Sequence, residues 1–251
     1  MSMCVMWFSG LIQGDGYLDD RHIELYNSSE DILRKAVAFL KKQVEKKRIH
    51  VDIYSETTNE ELKNKWARIF NLPEQNIKIK KSTSPWKYRK EKIRLRVGSK
   101  KLAQEIKKRL KKPDINFIKG IFDAEASVDI KGYIEFKQVD KKNGREIVFR
   151  TSNLLKKYGI KSTEPKTKRD NINNKTDWYF YVKDISLFKK LVNFTDSEKR
   201  RKLEILLKVN KNRSFKFFSP SKGQSLWEIM EYTHMPYHKI RAITRSHLTA
   251  R

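Results

Sequence analysis

Asp15 and Glu125 are the side chains from which chemistry can start. Each closes a short segment of one pattern: residues 7–18 read Trp-Phe-Ser-Gly-Leu-Ile-Gln-Gly-Asp-Gly-Tyr-Leu, and residues 117–128 read Phe-Ile-Lys-Gly-Ile-Phe-Asp-Ala-Glu-Ala-Ser-Val. Both follow aromatic/apolar-x-Gly-apolar-apolar-x-small-acid-small, with the acids 110 residues apart. Gly10 and Gly14 share one helix face, as do Gly120 and Ala124. Small residues at that spacing let two helix backbones approach closely. Helices crossing there would bring their C-terminal ends, and so two carboxylates, together. The helix dipole disfavours a carboxylate at that end, and a second one adds repulsion. A divalent cation between them removes both costs. Hard, oxygen-ligated Mg²⁺ suits a site of carboxylates and phosphates and serves in-line phosphodiester cleavage. Taken singly, each segment reads as well as a buried core helix; the pair carries the argument.

The elements that must position these acids are legible behind them. A repeat of this length means two similar subdomains rather than a solenoid. After the first motif comes a strand, Ile23 to Tyr26, then a helix from Ser29 to about Val44, with Ile32, Ala36, Phe39 and Leu40 at helical spacing. After the second comes a strand, Tyr133 to Phe136, then a helix from Gly144 to Tyr158 closed by Gly159. Further strands are expected at Ile77–Lys80 and Lys92–Val97 in the first half and Trp178–Lys183 in the second. Each half closes with a basic helix, Lys100–Leu110 and Ser186–Phe194, and the first half carries an extra helix, Asn59–Asn71.

Charge supplies the substrate class. The chain has 251 residues, with 57 Lys and Arg against 30 Asp and Glu, a formal charge of +27. A polyanionic partner would relieve that self-repulsion. Nucleic acid leads, and an anionic membrane surface comes second. In Lys92–Val97, Ile93, Leu95 and Val97 point one way while Lys92, Arg94 and Arg96 point the other; Lys78 and Lys80 repeat the pattern. Such a sheet has an apolar back and a cationic front fit for a nucleic-acid groove. A solvated face with lysine-guarded edges is the plainer reading. A single cysteine, Cys4, excludes an intramolecular disulfide framework and any cysteine-rich zinc module. No apolar run is long enough to span a membrane, and no signal peptide is expected. An intracellular protein without a membrane partner is the expectation.

The segments Phe8–Gly16 and Ile118–Ala126 resemble the two motifs of a monomeric LAGLIDADG homing endonuclease, and the resemblance covers residues 1 to about 213. It implies an α+β fold of two pseudo-symmetric αββαββα repeats, residues 1–112 and 113–213, whose antiparallel sheets form a saddle over the DNA major groove. It implies a site-specific double-strand endodeoxyribonuclease dependent on Mg²⁺, with Mn²⁺ as a substitute. One chain would act as a monomer on a long asymmetric duplex site and leave short 3′ overhangs. Asp15 and Glu125 would be catalytic and hold the metals, with Lys199 as the catalytic basic residue that supports water and phosphate. Asn27 and Gln138, each ending the strand after a motif, would support the acids. Lys111 and Lys112 are the candidates for a basic residue from the first half. Lys78, Lys80, Lys92, Arg94, Arg96 and Lys137 would contact DNA. Gln13 departs from the acid usual at the sixth motif position, and Ala126 from the final glycine; neither is the metal position.

Residues 214–251 exceed two repeats. Ser219–Gln224 reads as a linker, and Ser225–Arg245 resembles a helix-turn-helix, with Ser225 capping, Glu228 at N3 and Pro236 starting the second helix. Lys239, Arg241 and Arg245 would then face DNA. A helical hairpin packed on the second repeat is the alternative. Two other functions fit less well. One is a non-cleaving intron maturase, with intron RNA as partner, or a DNA-binding regulator on the same scaffold. The other is a basic structural or ribosome-associated protein, which leaves the paired acids unexplained.

Overall fold

The computed structural model describes residues 2–56, 60–81, 91–140, 143–170, 174–211 and 225–241. They divide into two compact units, Met1–Glu125 and Ala126–Arg251. In the first unit the order is α1 (Ser2–Asp15), β1 (Gly16–Leu18), β2 (His22–Asn27), α2 (Glu30–Leu40), β3 (Ile49–Ser55), α3 (Glu60–Phe70), β4 (Ile77–Lys81), β5 (Lys92–Gly98), α4 (Lys100–Lys111) and α5 (Ile115–Glu125). In the second it is β6 (Ala126–Asp129), β7 (Tyr133–Val139), α6 (Gly144–Lys157), β8 (Lys166–Asp170), β9 (Lys175–Val182), α7 (Ile185–Leu191), α8 (Ser197–Lys211) and α9 (Leu226–Thr233).

The sheets run β1-β2-β5-β3-β4 and β6-β7-β9-β8. With β3 equated to β8, the two halves share one αββαββα path, α1 to α4 and α5 to α7. The helix α3 and strand β4 are then an insertion peculiar to the first half. They change the sheet: β4 pairs parallel to β3, with Asp52 opposite Lys78 and Ile53 opposite Ile79. The expected purely antiparallel sheet is therefore mixed in the first unit, because a helical crossover returns the chain in the same direction. The strand β3 is absent from the expectations, although Ile49, Val51 and Ile53 alternate with His50, Asp52 and Tyr54. Ile77–Lys81 is accordingly an edge strand. The helix α2 stops at Leu40, short of Val44, once its buried stripe of Ile32, Leu33, Ala36, Val37, Phe39 and Leu40 is complete.

Burial follows period. Ile23 and Leu25 of β2, Ile49, Val51 and Ile53 of β3, and Ile93, Leu95 and Val97 of β5 form the buried back of the first sheet, packed with α1, α2 and α4. In the second unit Ile134, Phe136, Phe180 and Val182 play that part, with Phe136 stacked on Phe180 at 5.2 Å. Gly159 takes φ +74°, a left-handed turn open to glycine, where α6 ends.

The expected capping box is formed at α9. Ser225 Oγ accepts from Glu228 N at 3.3 Å, and Ser225 N donates to Glu228 Oε2 at 2.7 Å. His234 closes the helix in the left-handed region, and residues 237–241 are helical after Pro236. His234 and His238 stand four apart in sequence, but this break keeps them off a common helix. The hairpin leans on α8 through the Arg201–Glu231 ion pair and Lys202 over the Trp227 ring at 5.7 Å. Ser225→Ala should cost the α9 segment about 1 kcal/mol, read as faster amide exchange within Leu226–Thr233 and unchanged exchange in the sheets.

Candidate functional site

The helices α1 and α5 lie together inside the first unit, and their small residues are the reason they can. A Cβ on Gly120 would sit 1.8 Å from the Trp7 carbonyl oxygen, and one on Gly10 2.2 Å from the Phe117 carbonyl oxygen. One turn further on, a Cβ on Gly14 would sit 2.6 Å from Ala124 Cβ, 2.8 Å from Glu125 Cγ and 3.2 Å from Glu125 Oε1. The Glu125 side chain thus lies over Gly14, next to Asp15. Glu125 thus ends α5 against the last turn of α1, the turn that Asp15 ends. Trp7 Nε1 donates to Asp123 Oδ2 at 2.7 Å in the buried crossing, and Lys35 Nζ lies 3.8 Å from the Trp7 ring centroid. Asp123 holds the sixth motif position, where the first copy carries Gln13. Its acid is a structural partner of Trp7 and does not point with Glu125.

Asn27 ends β2 behind Asp15. Its Nδ2 donates to Asp15 Oδ2 at 2.8 Å, while its Oδ1 accepts from Ser29 N at 2.8 Å. Both ends of the amide are held, so the Asp15 carboxylate is held. Two carboxylates and hard oxygen chemistry fit a divalent cation. Among the described residues no group of three or more His, Cys, Asp or Glu side chains could hold a metal ion. Ligands beyond Asp15 and Glu125 would therefore be oxygens of water and phosphate, an arrangement Mg²⁺ favours.

Gln138 and Lys199 belong to the second unit. Gln138 is on β7 opposite Trp178, and its buried Nε2 has no hydrogen-bond partner among the described residues. Lys199 lies half-buried in the first turn of α8; its backbone N–H bonds to Asp196 Oδ1 at 2.8 Å, and its Nζ is 5.6 Å from the Phe194 ring centroid. Lys111 ends α4 and Lys112 caps it.

The polar front of the first sheet brings together His22, Glu24 and Tyr26 of β2, Lys92, Arg94 and Arg96 of β5, His50, Asp52 and Tyr54 of β3, and Lys78 and Lys80 of β4. Asp52, which the sequence reading does not single out, lies at its centre with a side chain 1% exposed. Burial by itself would raise its carboxyl pKa. Hydrogen bonds from Arg94 and Lys80 and the Arg96 charge outweigh that and hold it below the ordinary carboxylate value. The alternation of β3 was the signal that could have found it. Lys137 of β7 is half-exposed and pairs with Asp177 at 3.2 Å. Lys239 and Arg241 are exposed on the helical residues after Pro236. Arg245 lies outside the described residues.

Residues 112–211 match the family model of the LAGLIDADG-like domain. A glutamine–fructose-6-phosphate aminotransferase (isomerizing) of Methanocaldococcus jannaschii is 32% identical over 136 residues, covering 50% of this chain. The chain spans 11% of that relative. The homing endonuclease I-DmoI superposes at a TM-score of 0.46 with 18% identity, over 76% of this chain and 96% of that one. I-DmoI in complex with DNA and Ca gives a TM-score of 0.45 with 18% identity, over 75% and 86%. The homing endonuclease I-WcaI bound to its DNA recognition sequence gives 0.44 with 15% identity, over 81% and 86%.

Proposed function

We propose, from the premise that residues 112–211 are a LAGLIDADG-like domain and that the first half repeats its path, that this chain is a homing endonuclease. It binds a long asymmetric duplex as a monomer and hydrolyses both strands with Mg²⁺, for which Mn²⁺ substitutes. The observation that supports the reading is the packing, through Gly10, Gly14 and Gly120, of the two helices that end in Asp15 and Glu125, with the Glu125 side chain against Gly14. Asp15 and Glu125 would hold the metal. When bound, the ion would polarise a phosphoryl oxygen and lower the pKa of its water. Asn27 keeps the Asp15 carboxylate aimed. Lys199 and Gln138 would support phosphate and water. Each sheet front would read one half-site, so one chain would supply both without dimerising.

The test is cleavage of a randomised duplex library by the purified protein in Mg²⁺. The expected result is a narrow set of sequences cut on both strands with short 3′ overhangs. Selective binding with no cutting would replace this reading with a non-cleaving DNA-binding protein.

Binding should weaken steeply as salt rises, because phosphate contacts release counterions. Arg96, whose side chain is 37% exposed, is the reader to probe, since Arg94 is only 17% exposed and turned to Asp52. Arg96→Ala should cost about 1–3 kcal/mol on the selected duplex if the contact is to guanine. Titrations at several salt concentrations check this, and unaltered affinity would remove Arg96 from the interface.

A further inference from the structure

The front of the first sheet has an acid beneath its cations, and the contacts of that acid are unequal. Arg94 Nε donates to Asp52 Oδ2 at 2.9 Å, and Arg94 Nη2 pairs with the same oxygen. Arg94 Nη1 donates to the Tyr26 hydroxyl at 3.3 Å and lies 3.7 Å from Glu24 Oε2, to which Tyr26 in turn donates at 2.7 Å. Every nitrogen of the Arg94 guanidinium therefore has a partner within the sheet. Arg96 meets Asp52 on one side only: its Nη2 donates to Oδ1 at 3.4 Å, and its Nε lies 3.1 Å from Oδ2 as an ion-pair contact without a hydrogen bond. Lys80 Nζ, arriving on the inserted strand β4, is 3.3 Å from Oδ2. The Arg96 and Lys80 side chains stay 37% and 40% exposed.

We propose that Asp52 is a positioning residue for DNA recognition: it aims Arg96 and Lys80 from neighbouring strands, with Arg94 as its buried counter-charge rather than a reader of bases. The proposal rests on the reading that this front binds duplex DNA. The physical reason is entropic. Long cationic side chains lose rotamer freedom when they bind, and holding them beforehand lowers that loss. A guanidinium held along one edge keeps its other edge for a fixed, bidentate partner. The insertion α3–β4 matters because it delivers Lys80 to the cluster; among the described residues the second unit's four-stranded sheet has no strand to match it.

A surface acid that merely dilutes positive charge and one that aims cations differ in sign. Removing the former strengthens binding to every duplex. Removing the latter weakens binding to the selected duplex while leaving or strengthening binding to a scrambled one. The experiment compares Asp52→Asn with the unaltered chain on the library-selected duplex and a scrambled duplex at one salt concentration. The expected result is a tenfold or larger fall in the ratio of the two affinities. Arg96→Ala, costly in the unaltered chain, should then add little in the Asp52→Asn background.

Asp52→Asn leaves Arg94 buried without its counter-charge, which is destabilising. A second variant, Asp52→Leu with Arg94→Met, removes both charges and should show the same fall in selectivity. Selectivity retained in a folded variant overturns the positioning role and leaves the nuclease reading standing. If neither variant folds, Asp52 serves stability and the proposal falls. If the unaltered chain prefers no duplex, both readings fall together.

Discussion

Asp15→Asn should abolish strand cutting, by at least about 10³-fold, while duplex affinity stays the same or rises. The amide keeps the shape of the carboxylate but removes the charge that would hold a divalent cation, and metal assistance is worth several kcal/mol, about tenfold in rate for each 1.4 kcal/mol. Affinity is spared because an acid facing phosphate opposes binding electrostatically. Glu125→Gln should behave alike, since its side chain lies over Gly14 beside Asp15. Asn27→Ala should fall between, about 10–100-fold, because it loosens Asp15 without removing it. Ca²⁺ in place of Mg²⁺ should support binding with little cutting, its longer and looser coordination placing water less well. The measurement is single-turnover cleavage of the selected duplex alongside binding at the same salt. Asp15→Asn protein that still cuts at the normal rate, with nuclease contamination excluded, would remove Asp15 from the chemistry.

The second large effect concerns stability. Gly120→Ala should destabilise the first unit by about 3 kcal/mol or more, above the usual overpacking range, because the added methyl would meet backbone at 1.8 Å rather than a movable side chain. Gly10→Ala should follow closely, meeting the Phe117 carbonyl oxygen at 2.2 Å. Gly98→Ala is the control: its Cβ would find nothing within 4 Å, and stability should stay within about 0.5 kcal/mol. Denaturant unfolding of the three variants checks the order. A Gly120→Ala protein as stable as Gly98→Ala would mean the helices do not touch at that point. The same crossing carries the acids, so any Gly120→Ala protein that folds should also lose cutting.

The motif helices, the repeat and the cationic strand were legible because each rests on a local regularity. Gly10 and Gly14 stand four apart, as do Gly120 and Ala124, and Ile93, Leu95 and Val97 alternate with Lys92, Arg94 and Arg96. Helical and strand periods translate such spacings into faces without reference to the rest of the chain. The capping box at Ser225 is of the same kind, four residues long and closed on itself. What tertiary structure alone decided is which distant groups share a face. Asn27 reaches Asp15 because β1 and β2 form a hairpin directly after α1. Strand order placed β3 between β5 and β4, and with it put Asp52 between Arg94 and Lys80. Sequence alternation puts Arg94 and Arg96 on one face as equivalent cations. Only cross-strand register turns one inward onto Asp52 and leaves the other more exposed, because register is a relation between strands and no single strand carries it.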